Sequence, residues 1–265
     1  MSGSLQRIYG MTLRHFYLWR RSWVRVLETA YWPTMNMVLW GFIAKYLATN
    51  SSVVAQVPGL LLSGLLLWEV LFRGQLSFAL AFLEELYSRN LGHLFVSPLR
   101  PLELVAAMVT LSFLKTCVGV GAAVALAIAL YAASIFDLGL PLVAFFANLL
   151  ITGWAVGLMV SALVLRYGLA AENLAWGTIF IAAPISGIYY PIAVRPAWLQ
   201  HVARCLPTSY VFEGIRGVLL EAVFKWDLFF GAVALNAVYL AVGIGIFFAA
   251  FRGARRRGAL LQMGE

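Results

Sequence analysis

Six long apolar runs divide the chain, at about residues 29–49, 58–83, 102–133, 139–165, 172–192 and 228–251, with the polar residues gathered between them. Each run is long enough to cross a hydrocarbon core of about 30 Å, and none alternates apolar with polar. The pattern therefore predicts spanning α-helices rather than the strands of a barrel. Three stretches outside the runs carry patterns of their own. Over residues 1–27, Leu5, Ile8, Tyr9, Thr12, Phe16, Trp19 and Trp23 share one helix face, with Arg7, Arg14, Arg21 and Arg25 opposite. That is the signature of a helix lying in the membrane interface with its arginines toward anionic headgroups, or of one that also contacts a partner. The first apolar run begins too late, and lacks the small-residue site, for a cleaved signal.

The second stretch, 84–103, reads EELYSRNLGHLFVSPLRPLE and interrupts two spans with a charged opening, a helix-compatible body and a Ser97-Pro98 stop. It is either a plain connecting helix or a surface built to be gripped. The third, 194–222, is amphipathic and broken at Leu206-Pro207. Two short helices dipping into the bilayer, or two resting on its surface, satisfy that pattern.

Composition agrees with a membrane protein: of 265 residues, 63% are hydrophobic and 11% charged, where a soluble domain carries about 25% charged residues. The net charge of +8 raises the question of nucleic acid, but the basic residues sit beside apolar runs and read as topology charges. With an inside N-terminus, the cytoplasmic side holds Arg7, Arg14, Arg20, Arg21, Arg25, Arg89, Arg100, Arg166, Arg252, Arg255, Arg256 and Arg257. The other side holds only Lys45, Arg195, Arg204, Arg216 and Lys225. The excess of arginine places both termini and the 84–103 segment in the cytoplasm. Cys117 and Cys205 fall at different depths and are not expected to pair.

Ionisable residues inside the spans need a reason. Glu69 and Arg73, four apart between Trp68 and Phe72, are spaced to pair on one helix face, as a buried structural pair or as part of a substrate path. Lys115 has no partner in its own span and faces a neighbouring helix, a cavity or the interface. Gly153 and Gly157 form GxxxG, read as helix packing. Gly177, Pro184 and Gly187 let the fifth span bend. No GxxxxGK[ST] occurs, so this chain holds no P-loop; His15, His93 and His201 are too scattered to share a metal; and GxSxG is missing. No repeat relates the first three spans to the last three, against an inverted-repeat carrier.

This order of features resembles the permease subunits of ABC-2 type ATP-binding cassette exporters, across essentially the whole chain. Glu85, Arg89, Leu91, Leu94, Ser97, Pro98, Leu102 and Glu103 look like that family's coupling segment. Gly187, Tyr190, Pro191, Pro196, Trp198, Leu199, Leu206, Pro207, Gly214 and Arg216 look like its outer re-entrant region. The resemblance implies one all-α transmembrane domain over 1–265, with an interfacial helix at 1–27, a coupling segment at 84–101 and re-entrant helices at 194–222. It also implies a bacterial inner-membrane location, a second permease copy, contact with membrane lipids, and two copies of a separate ATPase that holds the ATP and Mg; the chain itself would carry no cofactor and catalyse nothing. Arg89, Asn90, Leu94 and Phe95 would enter a groove on the ATPase, and Glu84 and Glu85 would shape the cytoplasmic gate. Trp32, Trp68, Glu69, Arg73, Phe180, Tyr189 and Tyr190 are the translocation-path candidates, suited to an amphipathic, lipid-linked glycan or drug-like cargo. Two rival readings are a stand-alone ion-coupled carrier or channel using Glu69, Arg73 and Lys115, and a membrane scaffold that moves nothing.

Overall fold

The computed structural model describes residues 2–50, 57–88, 90, 97–131, 135–171 and 173–256, and every regular element among them is helical. In chain order these are α1 (Ser2–Arg21), α2 (Trp23–Asn50), α3 (Val57–Tyr87), α4 (Pro101–Tyr131), α5 (Pro141–Tyr167), α6 (Asn173–Ser186), α7 (Ala197–Arg204), α8 (Pro207–Glu221) and α9 (Trp226–Arg256). Four of them, α3, α4, α5 and α9, are long and apolar enough to cross a membrane, and they coincide with the second, third, fourth and sixth apolar runs. Helix α2 has 28 residues, about 42 Å at 1.5 Å per residue, but Glu28, Asn36 and Lys45 interrupt its apolar run.

Helices α3 and α5 form the centre. Leu66, Leu67, Phe78 and Phe82 of α3 are almost completely buried. The packing reading of GxxxG holds: a Cβ on Gly153 would stand 2.8 Å from the Leu71 carbonyl oxygen of α3, and one on Gly157 would meet the Phe78 ring at 3.0 Å. At Gly153 only a residue without a side chain lets the two backbones come so close, and at Gly157 it leaves room for the Phe78 ring. Helix α9 covers the other side of α5, where Asn148, Thr152 and Asn236 form a buried polar knot. Asn236 Nδ2 donates to Asn148 Oδ1 at 2.9 Å, and Thr152 Oγ1 donates to Asn236 Oδ1 at 2.6 Å.

Three expectations change. The N-terminal helix does not run to residue 27: it breaks at Ser22, and Trp23 to Leu27 belong to α2. The Trp19 indole N–H donates to Thr29 Oγ1 at 3.1 Å across the corner and fixes the bend. The arginines of the predicted N-terminal helix do not all face headgroups, because Arg7 and Arg14 of α1 and Arg25 of α2 reach carboxylates of α3 and α4. The buried stripe is Met11, His15 and Trp19, while Leu5, Tyr9 and Trp23 are exposed. Finally, the fifth run is a helix of only 14 residues, about 21 Å long and short of the roughly 30 Å hydrocarbon core.

Helix α6 stops where Gly187 takes φ 86°, a left-handed conformation that glycine adopts at little cost. Its last carbonyls are satisfied by cations from the segment that follows, which suits a helix C-terminus. Arg195 Nη1 donates to the Ile185 carbonyl at 2.6 Å, and Arg216 donates to the Gly187 carbonyl. The stretch after α6 is indeed two short helices, α7 and α8, meeting at Leu206-Pro207.

Candidate functional site

Two groups of side chains gather the sequence-based candidates. The first lies where α1 crosses the ends of α3 and α4, at the two roots of the 84–103 segment. Glu85 closes α3 with its side chain 1% exposed; Arg14 Nη1 approaches it at 2.8 Å and His15 Nε2 at 3.0 Å. Asn90 Nδ2 donates to its other oxygen at 2.7 Å, so Asn90 is tied back to the helix end. Glu84 receives Arg25 Nη1 of α2 at 2.9 Å and lies 3.8 Å from His15 Nδ1. At the opposite root, Arg7 grips Glu103 with both Nε and Nη2, at 2.8 and 2.6 Å, while Ser4 donates to the same carboxylate. Glu103 also accepts the Arg100 backbone N–H at 2.9 Å, which caps the start of α4.

The result is a clasp. Four basic side chains from α1 and the start of α2 hold three carboxylates that flank one loop, and bidentate Arg–carboxylate contacts are among the stronger and more directional polar contacts. Burial alone would keep the His15 imidazole neutral, but Glu84 and Glu85 outweigh it and raise its pKa above the ordinary value. Lys115 of α4 is buried and within electrostatic reach of Glu84 and Glu28, so it belongs to the same charged end of the bundle. Arg89, Leu94 and Phe95 lie outside the described residues; of the four coupling candidates only Asn90 is placed.

The second group surrounds a cavity of about 220 Å³ between α2, α3 and α6, lined by Asn36, Trp40, Trp68, Glu69, Phe180 and Tyr189 among others. Glu69 accepts a hydrogen bond from Asn36 Nδ2 at 2.7 Å and sits 3.7 Å from Arg73 Nε, so the four-residue spacing does pair them. Trp40 stacks on Tyr189 with ring centroids 5.4 Å apart. The remaining path candidates lie elsewhere. Trp32 is on the exposed face of α2, and the Tyr190 ring covers the Arg195 guanidinium at 4.9 Å.

The sequence pattern missed His15 as a buried group, Asn36 as the partner of Glu69, and the Asn148–Asn236 knot. The first was signalled by its place four residues from both Met11 and Trp19; the other two join helices far apart in sequence.

The arrangement is a helical bundle with four helices apolar and long enough to cross a membrane, a charged clasp at one end and a small internal cavity. The family model for ABC-2 type transporters matches residues 13–220, and the chain belongs to that family. Its members are membrane subunits of ABC transporters and generally work with an ABC ATPase. The chain is also 30% identical over 81 residues to the Linearmycin resistance permease protein LnrN of Bacillus subtilis (strain 168). That match covers 30% of this chain and 20% of that protein.

Proposed function

We propose that the chain is the permease half of an ATP-driven exporter in the bacterial inner membrane, with α2 as one further span and α6, extended by the stretch after Gly187, as the other, both termini in the cytoplasm, and α7 and α8 dipping into the outer leaflet. Two copies pair, and each docks a separate ATPase, which holds ATP and Mg, through the 84–103 segment. The observation that carries the reading is the clasp. A loop that merely connected two spans would have no need of three carboxylates held by four basic groups at its roots, whereas a lever must transmit force into the helices it joins. Arg89, Asn90, Leu94 and Phe95 contact the ATPase, and Glu84 and Glu85 move with α1 as the gate. The exposed face of α2, with Tyr31, Trp32, Leu39, Phe42 and Tyr46, is available to the second copy and to lipid. Cargo passes along α2 and α6.

Export from proteoliposomes tests it. The purified chain is co-expressed with its host's ABC ATPases, the complex is isolated, and ATP hydrolysis and substrate movement are followed together. Arg89→Glu should abolish ATPase docking and ATP-driven movement. Transport by this chain alone on an ion gradient would overturn the reading in favour of a carrier, and an unchanged Arg89→Glu complex would overturn the assignment of the lever.

A further inference from the structure

The cavity between α2, α3 and α6 has a chemistry that family membership leaves open. Its lining is aromatic on several sides, with Trp40 stacked on Tyr189 and Trp68 and Phe180 completing the walls. Among the described lining residues, the charged one is Glu69, 4% exposed. Asn36 satisfies Oε1, but Oε2 accepts no hydrogen bond: the Arg73 Nε contact at 3.7 Å is an ion pair without hydrogen-bond geometry. Arg73 itself does not line the cavity, and Glu28 also lies within its electrostatic reach. A carboxylate with an open oxygen in an aromatic-lined cavity attracts a positive centre by direct charge, and aromatic walls suit such a centre where a ring presents its face or lies against the apolar groups around it. An anion in the same place would meet the carboxylate.

We infer that this cavity binds the ammonium head of an organic cation, a quaternary or protonated amine carried on an apolar body, and that Glu69 with Trp40 and Tyr189 selects it. The size fits a head group. Sites for whole drug-sized ligands run from about 300 to 1,000 Å³, so at about 220 Å³ the cavity holds the charged end while the apolar remainder lies between helices or in lipid. The inference rests on the proposed passage of cargo along α2 and α6, and names the cargo class for that path.

Binding to the purified full-length chain in lipid nanodiscs tests it without any ATPase, so failure of the exporter reading and failure of this one are separable. The probes are benzyltrimethylammonium, its uncharged carbon analogue neopentylbenzene, and the anion phenylmethanesulfonate, each followed by quenching of tryptophan fluorescence and by isothermal titration. The cation should bind saturably, and the anion should not bind. Glu69→Gln should weaken the cation by about tenfold or more while leaving the neutral analogue unchanged, and Trp40→Leu should weaken it by about tenfold with Glu69 intact. Because Glu69→Gln leaves Arg73 without its acid, Glu69→Asp keeps the charge and should retain cation preference. Equal affinity for the cation and neopentylbenzene, or full cation affinity in both Glu69→Gln and Trp40→Leu, would overturn the assignment.

Discussion

Glu85→Gln is the sharpest probe of the clasp. The substitution keeps the side chain's volume and still lets Asn90 donate, but removes the charge that faces Arg14 and His15. His15 and Glu85 are each 1% exposed at the side chain, so their pair is a buried one, for which breaking one side costs about 3–5 kcal/mol. The Arg14 side chain is 39% exposed, so solvent screens it and its share is below about 1 kcal/mol. A retained amide hydrogen bond offsets part of the loss, which leaves roughly 3 kcal/mol for the docking of α1 on the end of α3. That is about a hundredfold in the equilibrium between docked and released α1. Hydrogen exchange of the backbone amides from Met11 to Trp19 reads this directly, with the amides of α5 as the internal reference. Protection in α1 should fall by about that factor while α5 stays unchanged. If α1 keeps its protection in Glu85→Gln, the carboxylate does not hold the helix and the lever loses its fulcrum.

His15 makes the same contact sensitive to pH. Its folded-state pKa is raised, so its contribution is complete below the ordinary histidine value and is lost as pH rises through the raised value. Exchange in α1 should accelerate on the alkaline side, and His15→Gln should flatten that dependence. Gly153→Ala would place a methyl 2.8 Å from the Leu71 carbonyl oxygen and should cost about 1–3 kcal/mol. A thermal shift in detergent checks it against Gly245→Ala, whose Cβ would meet nothing within 4 Å. Asn236→Leu breaks the knot with Asn148 and Thr152. Interhelical hydrogen bonds in membranes average about 0.6 kcal/mol, so the loss should be about 1–2 kcal/mol and non-additive with Asn148→Leu in a double-mutant cycle.

The spans were legible where a single helix carries its own signal. Runs at 58–83, 102–133, 139–165 and 228–251 fall within a few residues of α3, α4, α5 and α9, because length and hydropathy are local properties. The Glu69–Arg73 pair was legible for the same reason, being one turn of one helix. What could not be read is whatever joins distant segments. Arg7 meets Glu103 across 96 residues and Asn236 meets Asn148 across 88, and no spacing rule encodes such partners. The arginines of α1 therefore looked like lipid-facing charges until α3 and α4 supplied carboxylates. Helix α6 looked like a full span because hydropathy continues through Ile188 to Pro191, whereas the backbone turns at Gly187.

The direct test of the lever is where its surface lies and what it touches. In a chain with Cys117 and Cys205 replaced by serine, a single cysteine at Ser97 is offered a membrane-impermeant maleimide from either side and then cross-linked in membranes containing the ATPase. Labelling from the cytoplasmic side alone, with a cross-link to the ATPase that tightens when ATP is added, is the expected result. Labelling from the outside would contradict it.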